Sequence, residues 1–118
     1  MLVDTSVWVD HLRRGNDLLA SLLSGGEVHC HPFVIGELSC GHLKRRAEVL
    51  ALLRNLPGSS VAENDEAIEF VEAHRLMGSG FGWVDVHLLA SASLSRIPFW
   101  TLEKRLAEIA RRLRLAPA

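Results

Sequence analysis

The first eight residues, MLVDTSVW (residues 1–8), contain the pattern on which the predicted fold rests. Residues 1–3 are apolar and form a segment of the right length for a short buried strand, and Asp4 follows directly. Ser6 predicts the start of a helix that continues to about Arg14, because its hydroxyl can accept from the free N–H groups of a first helical turn. The stretch therefore predicts a strand, an acid at its carboxyl end and a helix.

Short apolar segments and helical segments continue to alternate along the chain. Further short strands are predicted over residues 27–31, 59–62 and 98–101, with a weakly signalled fifth strand at the C-terminus. Helices are predicted over residues 6–14, 16–25, 32–43, 45–56, 64–77, 83–96 and 103–113. Strands that alternate with helices indicate a parallel sheet covered on both faces, that is, an α/β protein with a three-layer α/β/α sandwich.

Length and composition predict a single domain over residues 1–118. Hydrophobic residues make up 48% of the 118, which is enough for one core but leaves no room for a second domain. No apolar run approaches the roughly 20 residues of a membrane span. Because an apolar strand is predicted at residues 1–3, we expect no signal peptide. We therefore expect a cytoplasmic protein without membrane association. Cys30 and Cys40 are expected to be buried thiols, since no CxxC motif accompanies them.

The net charge of −1 does not by itself indicate a nucleic-acid-binding protein. Basic side chains are nevertheless clustered, at residues 44–46 and again near the C-terminus at Lys104, Arg105 and residues 111–114. Solvated helix faces and contacts with phosphate groups are equally good interpretations of these clusters.

Asp4 and Glu103 follow predicted strands, the first and the fourth. Ligand sites in α/β sheets lie at the carboxyl ends of the strands, so both acids are candidates for a shared site. Two other interpretations remain open: Asp4 as the N-cap of the next helix, and Glu103 as an ordinary acid of a first helical turn. The hydroxyl of Thr5 or Ser6 is expected to bind Asp4 or a water molecule beside it.

Glu37 and Asp85 lie within predicted helices, on faces that carry apolar residues. The neighbours of Glu37 three and four positions away are apolar or small, and Asp85 shares a stripe with Leu88 and Leu89. A carboxylate on such a face is expected to point inward and to need a cation. The alternatives are an exposed glutamate at a face boundary and an aspartate that stabilises the helix dipole.

A convergence of these four carboxylates would predict a particular chemistry. Carboxylates placed close together repel one another unless cations neutralise them. Oxygen ligands suit Mg²⁺ or Mn²⁺, which keep part of their water and bind substrate phosphate groups. Such a site can hydrolyse a phosphodiester bond. The predicted catalytic and metal-binding residues are Asp4, Glu37, Asp85 and Glu103.

Four segments of the chain together resemble a known family: residues 3–8, 32–38, 82–90 and 100–106. In order and spacing they are similar to PIN-domain ribonucleases, specifically the VapC-type toxins of bacterial type II toxin–antitoxin systems. The resemblance implies an α/β/α sandwich, an acidic metal site, endonucleolytic cleavage of RNA, a homodimer and inhibition by a cognate antitoxin protein. Three of the family's acidic positions correspond to Asp4, Glu37 and Asp85. The fourth is usually an aspartate, and here it is Glu103.

Two other functions remain open. One is a non-catalytic PIN-fold scaffold that binds RNA or protein, although all four acidic positions are filled. The other is an aspartyl-phosphate phosphotransferase with Asp4 as nucleophile. Those enzymes usually carry a second aspartate two residues further on, where this chain has Ser6, and a lysine at a later strand end, which residues 98–101 lack.

Histidines and tryptophans are expected to be structural. The six histidines show no zinc-binding spacing. Trp8, Trp83 and Trp100 are predicted to lie in the core, with stacking on a nucleobase as the alternative for Trp83 in particular.

Overall fold

In a computed structural model, which describes residues 1–118, seven helices and two very short strands follow one another. Their order along the chain is β1 (Leu2–Val3), α1 (Thr5–Arg14), α2 (Asp17–Ser24), α3 (Pro32–Ser39), α4 (Arg46–Asn55), α5 (Asn64–His74), α6 (Trp83–Ser95), β2 (Phe99–Trp100) and α7 (Lys104–Arg112). None of the helices combines the length and apolar character needed to cross a membrane.

The two strands form the centre of the fold. β1 and β2 are parallel, with Leu2 opposite Phe99 and Val3 opposite Trp100. Both residues of β1 are completely buried, as expected for a strand of a parallel sheet with both faces covered. This register places the next residue of each strand, Asp4 and Thr101, side by side.

Two further segments extend this pair into a parallel ladder, and a third is joined to β2 by one hydrogen bond; none of the three forms a regular strand. Residues 29–30 lie beside β1, and residues 57–58 lie beside residues 29–30, each through a single bridge. On the other side, the Phe99 N–H donates to the Leu115 carbonyl over 2.7 Å. The order across the ladder is therefore 57–58, 29–30, β1, β2 and Leu115. The α/β class and parallel pairing agree with the sequence-based expectation.

The predicted strand over residues 59–62 is wrong, since the ladder contact lies one residue earlier, at Gly58. Side chains of α6 hold the segment instead. The Ser60 N–H donates to Ser95 Oγ over 2.8 Å, and the Ala62 N–H donates to Ser91 Oγ over 3.1 Å. These backbone donors are thus unavailable to a neighbouring strand.

The other predicted strands are shorter than expected. Residues 27–31 contribute only the bridging residues 29–30, and Leu115 makes one ladder hydrogen bond rather than belonging to a fifth strand. Strands of this length leave most of the backbone hydrogen bonding to helices and turns.

Two helices end earlier than predicted. In α3 the last turn tightens, because the Cys40 and Gly41 N–H groups donate to carbonyls three residues back, and the helix stops at Ser39 rather than near residue 43. In α5 the left-handed conformation of Arg75, with φ of 54°, ends the helix after His74 rather than at residue 77.

The cysteines have different environments. Cys30 is buried, and burial raises the pKa of its thiol to about 11. Cys40 is exposed, because α3 ends directly before it and the chain turns toward solvent there. The expectation of two buried thiols is therefore wrong for Cys40. Both thiols are free.

Candidate metal centre

Asp4 lies at the carboxyl end of β1 and is only 3% exposed. Its Oδ2 accepts two hydrogen bonds, from Ser6 Oγ at 2.7 Å and from Thr101 Oγ1 at 2.8 Å. Asp4 occupies the N-cap position of α1 that was predicted for Ser6, but its side chain makes no capping bond. The only ion pair in the protein joins Arg14 and Asp10. A buried carboxylate therefore stands without a cation, a costly arrangement unless a positive charge is bound there.

Two hydroxyl groups hold Asp4 between the ends of β1 and β2. Thr101 Oγ1 accepts from the Glu103 N–H at 3.1 Å, and Ser6 Oγ accepts from the Leu102 N–H at 3.0 Å. Both hydroxyl protons are then directed at Asp4. The contact of Ser6 with Asp4 agrees with the sequence-based expectation. Thr101 was missed, although it follows β2 directly and so lies opposite Asp4.

Glu37 lies in the last turn of α3, and its carboxylate approaches the site from the side. Thr5 Oγ1 donates a 2.7 Å hydrogen bond to Glu37 Oε1. The side chain is exposed, so the expectation that it points into the interior is wrong. The reason is that α3 ends two residues later, which leaves Glu37 at the rim rather than beneath a continuing helix.

Asp85 lies in the first turn of α6 and is half-buried. Its Oδ2 accepts from the Gly82 N–H at 3.3 Å. Burial is the largest effect on Asp85 and raises the pKa of its carboxyl; the Gly82 N–H opposes this rise, and the nearby carboxylates of Asp4 and Glu37 add to it. Asp85 therefore both caps the start of α6, through the Gly82 N–H, and belongs to the acidic cluster.

Glu103 immediately precedes α7, at its N-cap position, and makes no side-chain capping bond. Burial again has the largest effect and raises the pKa of Glu103, followed by the charges of Asp4, Asp85 and Glu37. The structure thus brings all four predicted acids within electrostatic reach of one another, from four separate elements of the chain.

The chemistry of this acidic cluster fits a hard divalent cation. All donors are carboxylate oxygens, one carboxylate is buried and unpaired, and burial and mutual repulsion disfavour the charged forms of two others. The side chains form no tight cage, because no three of them approach a common point closely enough to ligate one ion. Mg²⁺ is commonly held by one or two carboxylates plus water and substrate phosphate, so a cage is not required.

The loop before α6 is held by Arg105, near the beginning of α7. The Arg105 guanidinium donates to the Ser79 carbonyl and lies 5.6 Å from the centre of the Phe81 ring. Gly80, between these two residues, has a φ of 84°, which favours glycine. Arg105 therefore connects the helix that follows Glu103 to the loop that leads to Asp85.

Two histidines, His31 and His87, are completely buried. His31 Nδ1 accepts from the Phe33 N–H at 2.9 Å, and His31 Nε2 lies 3.1 Å from Ser91 Oγ. Burial lowers the pKa of His31 to about 4, with a smaller contribution from His87. His87 packs against the rings of Phe33 and Trp83, with centroids 4.9 and 4.5 Å away.

Trp83 is not a core residue, contrary to the prediction. It is 45% exposed, because it is the first residue of α6, where the helix emerges from the loop beside Asp85. Trp8 is buried as predicted, and Trp100 is partly buried against the core.

Comparison with known proteins identifies the class that this fold and acidic cluster define. The family model described as 'PIN domain' matches the sequence over residues 1–112. The chain therefore belongs to the PIN-domain family. The expected three-layer α/β fold and the family resemblance are thereby confirmed. Two relatives are both called Ribonuclease VapC32, from Mycobacterium tuberculosis strains CDC 1551 / Oshkosh and ATCC 25618 / H37Rv. Each is 47% identical to this chain over 107 residues, which is 90% of this chain and 86% of the relative.

Proposed function

We propose that this protein is a divalent-metal-dependent endoribonuclease that hydrolyses RNA phosphodiester bonds and acts as the toxin of a toxin–antitoxin pair. The observation that carries the proposal is the buried carboxylate of Asp4, which has no basic partner and lies within electrostatic reach of other predicted acids at the carboxyl end of a parallel strand. The ribonuclease names of two relatives that are 47% identical support the same activity.

The four acids have different roles in this proposal. Asp4 and Asp85, the two more buried acids, bind the ion directly, and Mg²⁺ or Mn²⁺ is the ion that suits them. When bound, this ion supplies charge stabilisation for the phosphate and lowers the pKa of a water molecule. Glu37 and Glu103 are exposed at the rim and act through water molecules. Thr101 and Ser6 orient Asp4.

We also propose the assembly and the partner. An acidic pocket is a suitable target for an arginine side chain, whose guanidinium can pair with carboxylates through two hydrogen bonds. An antitoxin protein that inserts an arginine among these acids would inhibit cleavage. The chain is proposed to be a single domain over residues 1–118 that forms a homodimer in the cytoplasm. Light scattering of the purified protein, alone and with its partner, tests the assembly.

The activity is tested by incubating RNA with purified protein in EDTA, Mg²⁺ or Mn²⁺. We expect cleavage only with a divalent ion, and loss of cleavage in Asp85→Asn. Asp65→Asn is the matched control, since Asp65 is also an aspartate in a first helical turn but is exposed on α5. Binding of RNA without cleavage would instead indicate a scaffold. Phosphorylation of Asp4 by a small phosphodonor would indicate a phosphotransferase.

A further inference from the structure

A cleft of about 350 Å³ lies between α1 and the segment that follows α3. One end is formed by Thr5 and Glu37, the pair joined by a hydrogen bond beside the acidic cluster. From there the cleft leads away along α1, past Arg13, to residues 42–44. It is therefore continuous with the candidate metal centre but extends beyond it. We call it the basic cleft.

The charges of the basic cleft are unevenly distributed. Glu37 is its only acid, whereas Arg13, His42 and Lys44 all line it. All three basic side chains are exposed, and neither Arg13 nor Lys44 has a carboxylate partner, since the only ion pair is that of Arg14 with Asp10. The cleft is thus acidic at the Glu37 end and basic over the rest of its length. The basic part is complementary to a phosphate group.

The rest of the lining is apolar. Val9, Leu12, Leu38 and Leu43 contribute to it, and Leu12 is 40% exposed. Apolar surface beside unpaired cations is the combination that single-stranded RNA uses, with the base and ribose on the first and the phosphate on the second. The volume lies at the small end of the range for ligand pockets, roughly 300–1,000 Å³, which suits one nucleotide rather than a duplex.

We propose that the basic cleft is the subsite for the nucleotide adjacent to the cleaved phosphodiester bond. In this subsite Arg13 and Lys44 bind the phosphate, and Leu12 and Leu43 contact the base and ribose, with the His42 ring beside them. The inference rests on the proposed ribonuclease function, because the acidic cluster at the Thr5 end must be where the bond is cleaved. The cleft then determines how the RNA strand crosses the site.

The test measures RNA binding in an Asp85→Asn background, which separates binding from cleavage. Arg13→Ala/Lys44→Ala is compared with Arg54→Ala/Arg96→Ala, which removes the same charge from exposed positions on α4 and directly after α6, outside the two basic clusters. A single-stranded oligonucleotide is titrated by fluorescence anisotropy over a range of salt concentrations. We expect the cleft variant to bind about tenfold more weakly, with a salt slope shallower by roughly 0.7 per lost phosphate contact. The control should match the parent protein, and both variants should keep its melting temperature.

Shortening the oligonucleotide gives a second readout. Removing nucleotides from one side of the cleaved bond should weaken binding to the parent protein but not to the cleft variant, which has already lost that subsite. Equal RNA affinity in the parent and cleft variants overturns the inference, as does an equal loss in the control. Normal RNA binding combined with lost binding of a protein partner overturns it in favour of a protein-binding groove. If the protein with Asp85 intact cleaves no RNA in any metal, the proposed function itself fails, whatever the variants bind.

Discussion

Thr101 Oγ1 donates a 2.8 Å hydrogen bond to Asp4 Oδ2 at the point where β1 and β2 end side by side. The same oxygen accepts from the backbone N–H of Glu103. One hydroxyl group therefore sets the orientation of the buried carboxylate and the position of the residue that precedes α7.

This relationship predicts the effect of Thr101→Val, which keeps the shape but removes the hydroxyl group. Asp4 loses a donor and the Glu103 N–H loses an acceptor, so we expect a stability loss of about 1–3 kcal/mol. Cleavage should also need more Mg²⁺ for half-maximal rate, because Asp4 is no longer held in place. Thr101→Ser should restore both properties. The measurements are urea unfolding and cleavage titrated with Mg²⁺. Normal metal dependence in the valine variant would show that Thr101 does not position Asp4.

Asp85→Asn should abolish metal-dependent cleavage and yet stabilise the metal-free protein. The pKa of Asp85 is raised by burial and by its acidic neighbours, so its charged form is disfavoured in the folded state. Removing the charge should raise the melting temperature in EDTA by a few degrees. Asp65→Asn serves as the control and should not raise it. Cleavage by Asp85→Asn at the parent rate would refute the assigned site.

Glu103 should give a graded result. Its carboxylate is separated from the backbone by one more methylene than that of the aspartate typical of the family, which adds about 1.5 Å of reach. The side chain is also exposed. We expect Glu103→Gln to reduce cleavage less than Asp85→Asn, and Glu103→Asp to be tolerated. Cleavage of one RNA substrate over a metal titration compares the three. A Glu103→Gln variant as inactive as Asp85→Asn would make Glu103 a direct metal ligand.

His31 should make stability depend on pH. Burial lowers its pKa from 6.5 to about 4, so between these values the unfolded chain binds a proton that the folded chain does not. The contribution of His31 to stability should therefore be full above about pH 6.5 and fall as the pH drops toward 4. His31→Asn keeps an N-cap acceptor for α3 and should be less stable at pH 7 but less sensitive to pH.

Urea unfolding at several pH values measures this slope. The pKa values of His29 and His87 are also lowered chiefly by burial. These two histidines should therefore maintain part of the pH dependence of stability in the His31→Asn variant. An unchanged slope in His31→Asn would exclude His31 as its source.

Arg105 should act as a positioning residue. Arg105→Ala removes the contacts with the Ser79 carbonyl and the Phe81 ring. The loop that leads to Asp85 should then exchange amide hydrogens faster, and cleavage should need more metal for half-maximal rate. Arg111→Ala, further along α7, is the matched control. Equal amide exchange in the two variants would argue against the connection.

Local sequence patterns predicted where the acids lie in the chain's helices and strands, but not which residues they contact or how exposed they are. Asp4 and Glu103 follow apolar segments, and Asp85 sits near a helix start, so their places depend on a few neighbouring residues. The partnership of Asp4 with Thr101 depends on the register of two strands far apart in sequence, and the exposure of Glu37 depends on where α3 stops. Neither is encoded in a short window of residues.

The strand prediction over residues 59–62 failed for a related reason. Residues 59–62 have strand-like composition, but two serine hydroxyls of α6 take up their backbone donors. Which partner satisfies a backbone N–H is decided by packing in three dimensions. The helices were predicted more accurately, because their hydrogen bonds join residues close in sequence.

The order of the ladder has a consequence during synthesis of the protein. β1, made first, lies between residues 29–30 and β2, which is made near the end. A growing chain can pair β1 on one side early, but the other side stays open until residues 99–100 have left the ribosome. The acids come from residues 4, 37, 85 and 103, so the centre cannot be complete on a shorter nascent chain. A nuclease built in this way would be inactive while it is being translated.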